Sequence, residues 1–149
     1  MTAWAGYGWI HTEPVTGDDF EEHRIWQQLT WSHKHEDLTL ALRPRLEQRF
    51  LETGDDVGWR FRQLVRVQHD LPSLPRLSFV TWDEAFFHLG DTDWGADTGF
   101  DQNRLFVGFG YKAHPESRLR TEIGYLNQTI HLSNGDDRVN HILSLSFFF

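Results

Sequence analysis

Residues 38–50 change character at nearly every step. Leu38, Leu40, Leu42, Leu46 and Phe50 share one parity, and Arg43, Arg45, Glu47 and Arg49 share the other. Side chains along a β-strand point alternately to opposite faces, so this run predicts a strand with one apolar and one charged face. The plan recurs with Trp59, Phe61, Val65 and Val67 against Arg60, Arg62, Arg66 and Gln68. It recurs again with Leu105, Val107, Phe109 and Tyr111 against Arg104, Gly108, Gly110 and Lys112, and with Leu119, Ile123 and Tyr125 against Arg118, Arg120, Glu122 and Gln128. Counting Arg24 on an earlier segment, eleven of the 14 basic residues fall on the non-apolar parity.

Eight segments have strand character, near 2–12, 22–33, 38–51, 58–69, 76–88, 103–113, 117–131 and 140–149, with turn residues between them. The connections predict long loops at 13–21, 52–57, 90–102 and 132–139, and shorter turns at 34–37, 70–74 and 114–116. Outer-membrane barrels show this asymmetry, and soluble up-and-down barrels can share it. At 149 residues the chain is expected to form a single β-barrel domain over 1–149. It contains no continuous apolar stretch of the roughly 18 residues that a membrane helix needs. The absence of cysteine excludes disulfide frameworks and thiolate chemistry, and the net charge of −8 disfavours nucleic acid as a partner. No leader precedes the first patterned segment, so either one has been removed or the chain is part of a longer one.

A soluble sandwich or lipocalin-like barrel also alternates, with its apolar face inside. Three features favour the opposite orientation. Outward aromatics fall near strand ends, with Trp9, Phe50, Trp59 and Phe87 toward the long loops and Trp31, Tyr111, Phe147 and Phe149 toward the short turns, which predicts two aromatic girdles. The final segment places Leu143, Leu145, Phe147 and Phe149 at alternating positions and stops on an aromatic, similar to the C-terminal signal that barrel-assembly machinery reads. The other face mixes Arg and Glu with Gly and Gln, which suits a filled polar lumen. The expected fold is therefore all-β: an antiparallel up-and-down transmembrane β-barrel of about eight strands. Its expected surroundings are outer-membrane lipid and lipopolysaccharide, with the oligomeric state left open.

Trp26-Gln27-Gln28, Arg45-Leu46-Glu47-Gln48-Arg49-Phe50, Phe100-Asp101-Gln102-Asn103-Arg104-Leu105, Gly124-Tyr125-Leu126-Asn127-Gln128 and Asn140-His141-Ile142-Leu143 are the most distinctive runs. With them the chain resembles, over nearly its whole length, a family of bacterial outer-membrane barrels catalogued as domain of unknown function 2490. The resemblance implies a barrel in the outer membrane of Gram-negative bacteria and implies no activity. It also implies a leader and several strands before the segment matching Ala3–Thr12, hence the C-terminal part of a larger barrel.

The most unusual chemistry is the inward cluster Arg24, Arg43, Arg45, Glu47, Arg49, Arg60, Arg62, Arg66, Glu84, Arg118, Arg120 and Glu122. Two roles fit it. Small barrels fill their interiors with side chains and must pair buried charges, so Arg–Glu ladders can plug the lumen. Alternatively, the excess of Arg makes an anion-binding or anion-selective interior. Asp18, Asp19, Glu21, Glu22, Asp55, Asp56, Asp91, Asp93, Asp97, Asp101, Asp136 and Asp137 are expected in solvated extracellular loops, with divalent-cation bridging to lipopolysaccharide as the functional alternative. His33 and His35 are expected as exposed turn residues. Ser144, Ser146, His141 and His131 lack a recognisable nucleophile motif, so no enzyme, cofactor or metal is expected. A barrel-embedded lipid hydrolase and a soluble lipid-binding barrel stand as the alternatives. Pro44 removes a ladder hydrogen bond from the best strand, and Asp83 falls on the apolar parity of its segment; a bulge near each is the expected accommodation.

Overall fold

The computed structural model describes residues 1–15, 17–114, 119–133 and 135–148. Its strands are β1 (Thr2–Thr12), β2 (Phe20–His35), β3 (Leu38–Leu51), β4 (Val57–Asp70), β5 (Leu77–His88), β6 (Gly99–Lys112), β7 (Arg120–Ile130) and β8 (Arg138–Phe148). They form one eight-stranded sheet in the order β1 to β8, each strand antiparallel to the next. The sheet curves into a half-barrel, and among the described residues no ladder joins β8 back to β1. Eight strands thus make an open wall here rather than a closed barrel. Both edge strands keep unpaired backbone groups.

The period-2 pattern governs the wall throughout. Cross-strand partners share a face, and the row Gly6, Trp26, Glu47, Arg60 and His88 runs along the concave side. Glu84, Arg104, Gln128 and Asn140 form a second concave row. The convex side carries the apolar parity, including the exposed Trp9, Trp31, Phe50, Trp59, Val65, Phe87, Val107, Tyr111 and Phe147. The outward aromatics named from the sequence sit near strand ends as expected, except that Phe149 lies outside the described residues.

Four details differ from expectation. The loop-length asymmetry is weak. Only the β2–β3 connection, Glu36 and Asp37, is tight, with Glu36 in the left-handed region at φ 50°; residues 71–76 and 113–119 are as long as 52–56 at the other end. Strand β6 starts at Gly99, because a bulge opposite Phe86 and Phe87 lets the polar run Asp101-Gln102-Asn103 continue the ladder. Asp83 needs no bulge of its own, since it pairs in register with Val65 and Leu105 and its carboxylate accepts from Asn103 Nδ2 at 2.9 Å. Around Pro44 the β2–β3 pairing skips Leu29 and Thr30 and then resumes in the same register, which tolerates the missing N–H without an inserted residue.

The apolar core also lies on the concave side. Leu64, Val80, Phe86 and Phe106 are buried there, and the Trp82 and Phe106 rings stack with centroids 5.5 Å apart. Phe106 lies over the directly paired Gly108 and Gly124. A Cβ on Gly124 would fall 2.4 Å from the Val107 carbonyl oxygen and 2.7 Å from Phe106 Cζ, so the inner surface has no room for a side chain at that pair. We expect Gly124→Val to destabilise by about 1–3 kcal/mol through overpacking, as measured by reversible urea unfolding.

Candidate functional site

Strands β2 to β7 aim their charged parity into a lattice of three ion-pair groups on the concave face, centred on Glu22, on Glu47 with Glu84, and on Glu122. Near the long-loop end, Glu22 accepts from Arg24 Nη2 at 2.7 Å and from Arg49 Nε at 2.7 Å. Next to it, Glu47 is fully buried and accepts from Arg60 at 2.7 Å, Arg62 at 2.7 Å and Arg45 at 3.5 Å. Arg62 reaches onward to Glu84 at 2.9 Å, which also takes Arg43 at 3.0 Å. Toward the short-turn end, Glu122 accepts from Arg66 and forms an ion pair with Arg120 at 3.0 Å, while Arg120 donates to Gln68. Each carboxylate is thus shared by two or three guanidinium groups. A carboxylate offers about four lone-pair sites and a guanidinium five donors, so the donors outnumber the acceptors, and Nε of Arg43, Arg62 and Arg120 is buried without a partner.

Aromatic faces hold several of the same cations. Phe86 is fully buried beneath three of them, with the guanidinium carbons of Arg62, Arg104 and Arg60 at 4.3, 5.0 and 5.4 Å from its ring centroid. Arg45 lies 4.4 Å over Trp26, and Arg120 lies 4.8 Å over Phe148. A cation over an aromatic face is stabilised most where water is excluded, as it is around Phe86. Between the two ends of the lattice a cavity of about 300 Å³ opens among Arg43, Arg66, Glu84, Arg120 and Glu122, with Ser144 and Ser146 opposite.

The structure brings together every charged residue that the sequence singled out except Arg118, which lies outside the described residues. It adds partners that the parity reading placed elsewhere. Glu22 was expected in a loop, but β2 begins at Phe20 and makes Glu22 an inward strand residue. Glu21 is likewise in β2, where it takes Trp9 Nε1 at 3.1 Å. Asp101 was also expected in a loop. The β6 bulge turns it inward to Arg60 at 3.1 Å, with His88 Nε2 at 3.6 Å. Arg104 belongs to the Phe86 group, and its inward parity was the sequence signal for it.

The long β5–β6 connection closes over this end of the wall. Trp94 stacks at 5.1 Å over Arg49 and donates from Nε1 to the Asp56 carbonyl at 2.9 Å. Gly58 permits this approach, because a Cβ there would lie 2.4 Å from the Trp94 ring. Asp93 accepts the backbone N–H groups of Asp55 and Asp56. The backbone N–H and hydroxyl of Thr98 both donate to Asp91, which holds its carboxyl below the usual carboxylate range. Several loop carboxylates are therefore structural ties between connections.

Among the described residues, Ser144, Ser146, His141 and His131 do not assemble a nucleophile. Ser144 and Ser146 face the concave cavity, whereas His141 is on the convex parity and bonds Tyr125 Oη at 2.5 Å. At the mouth, Ser133 is hydrogen-bonded to Asp97 and His131 to Asp137. His33 is exposed as expected, although it is still within β2 and stacks on Trp31.

The family model described as protein of unknown function DUF2490 matches residues 1–140. An uncharacterized protein of Methylorubrum extorquens strain AM1 is 35% identical over 150 residues, covering 99% of this chain and 65% of that protein. This chain therefore spans just under two thirds of the length of that relative. No solved structure matches it. The matched region runs through all of β1 to β7 and into β8, and this charged, curved sheet belongs to the DUF2490 family.

Proposed function

We infer that this sheet is the wall of an outer-membrane β-barrel, with lipid against its convex face and a lumen filled by the arginine–carboxylate lattice. The observation that carries this reading is inverted burial. Glu47 and Glu122 are 0% and 2% exposed, while Trp9, Phe109 and Leu145 are 56%, 52% and 57% exposed. A water-soluble wall would bury the second group, whereas a bilayer favours the arrangement found. Several polar groups on the convex face also support it, because they pair with one another across strands. Asp83 takes Asn103, Gln27 and Gln48 exchange hydrogen bonds at 3.4 and 3.2 Å, and Tyr7 bonds His23 at 2.5 Å. Unpaired polar groups would be costly against hydrocarbon.

In this reading further strands join the wall at the free edges of β1 and β8. Leu143, Leu145 and Phe147, exposed on β8, together with Phe149, serve as the signal for barrel-assembly machinery. The role is structural or surface-binding rather than enzymatic. A charged concave face suits neither a lipid acyl chain, as a soluble lipid carrier would hold, nor lipid hydrolysis. Between plug and anion path, the plug is favoured by Glu47, which is fully enclosed by its guanidinium partners.

Substitutions on the two faces should differ sharply. Val65→Arg or Val107→Arg should cost about 2–4 kcal/mol near the bilayer midplane, and Gln68→Lys much less, in reversible unfolding from lipid vesicles. Equal losses would defeat the facing assignment. Glu47→Gln removes the shared acceptor of Arg60 and Arg62 and should destabilise by roughly 3–5 kcal/mol without opening a conductance. A stable variant with raised anion permeability in a planar bilayer would replace the plug with a path. Phe147→Asp should lower the membrane-inserted fraction in cells, read by fractionation; unchanged insertion would remove the signal role.

A further inference from the structure

At the mouth of the first hairpin, three side chains converge that the lattice does not use. His11 comes from the end of β1, Glu13 follows it, and Asp19 precedes β2. One ligand atom from each lies within 4.8 Å of the others. The imidazole Nε2 stands 3.6 Å from Glu13 Oε1 and 3.9 Å from Asp19 Oδ2. These separations are too long for hydrogen bonds, since an imidazolium–carboxylate bond closes to about 2.7–2.9 Å. They leave a gap that an ion can bridge as these exposed side chains close on it, since metal–nitrogen and metal–oxygen bonds near 2.1 Å at tetrahedral angles bring neighbouring ligand atoms to about 3.4 Å.

We propose that His11, Glu13 and Asp19 form a divalent transition-metal site, with zinc the best-fitting ion and one coordination position left to water. One imidazole and two carboxylates match the borderline preference of zinc, and a hard ion such as calcium would favour an all-oxygen set. Two carboxylates held this close repel each other, and a bound dication removes that cost. The His11 ring is already oriented, because it stacks on Trp9 with centroids 6.2 Å apart, and Trp9 is anchored through Nε1 to Glu21 at 3.1 Å. The bound metal ties the end of β1 to the start of β2 across residues 13–19. The site stands on the loop geometry alone and does not depend on lipid meeting the convex face.

The test is titration of the metal-free, detergent-folded chain with zinc chloride by calorimetry, and with cobalt(II) by visible absorption. One equivalent of zinc should bind, cobalt should show a low-coordinate d–d spectrum, and His11→Ala should weaken binding at least tenfold. Glu13→Gln and Asp19→Asn should each weaken it severalfold, with circular dichroism unchanged. No saturable binding, or binding unaffected by His11→Ala, overturns the proposal. Binding that needs His11 but neither carboxylate also overturns it and leaves a single-histidine adventitious ion. If His11→Ala fails to fold, His11→Gln answers the same question.

Discussion

Everything on the concave face depends on carboxylates shared among arginines. An arginine taken out of water is costly unless its guanidinium finds an anion, and the wall supplies Glu22, Glu47, Glu84, Glu122 and Asp101 to meet that need. The bridges are not confined to neighbouring strands. Arg43 reaches from β3 to Glu84 on β5, and Arg66 reaches from β4 to Glu122 on β7. Adjacent strands stand about 4.8 Å apart, so the β4 to β7 bridge closes only if the sheet curves. Charge pairing and curvature therefore support each other, and long side chains allow both.

Curvature has a steric consequence. On the inner side of a bent sheet the side chains crowd, and this chain relieves the crowding by pairing glycines with aromatic rings. Phe106 covers Gly108 and Gly124, and Trp26 lies across Gly6. The rings then become platforms for the cations, as with Arg45 on Trp26. Phe86 is the extreme case, a buried ring facing three guanidinium groups. The outer side spreads as the inner side crowds, and it carries the bulky apolar residues whose exposure would be unfavourable in water. Several of its polar groups close on one another in cross-strand pairs such as Tyr7 with His23 and Tyr125 with His141.

Strand identity and facing were legible in the residues because a period of two is rigid. Once Arg43, Arg45, Glu47 and Arg49 share a parity, a strand has no other way to display them. Local chemistry misled at strand ends. Glu21 and Glu22 follow Asp18 and Asp19 and look like a continuing acidic loop, yet pairing of β2 with β1 begins at Phe20. Asp101 sits in a Gly-Phe-Asp-Gln-Asn run with turn composition, and only the bulge opposite Phe86 and Phe87 makes it an inward strand residue. The convergence of His11, Glu13 and Asp19 has no regular sequence spacing, because a loop brings Asp19 back to the strand end.

The sequence by itself determined the all-β class, the two-faced strands and the shared face of Arg24, Arg43, Arg45, Arg49, Arg60, Arg62, Arg66, Arg104 and Arg120, since these follow from alternation along one chain. Tertiary structure alone decided which carboxylate each lattice arginine shares, that Trp94 closes over Arg49 and Gly58, and that among the described residues the eight strands curve without a ladder from β1 to β8. Those outcomes depend on register, twist and reach across strands. Strand register is set by hydrogen bonding between segments, and alternation within one segment carries no record of which residue stands opposite.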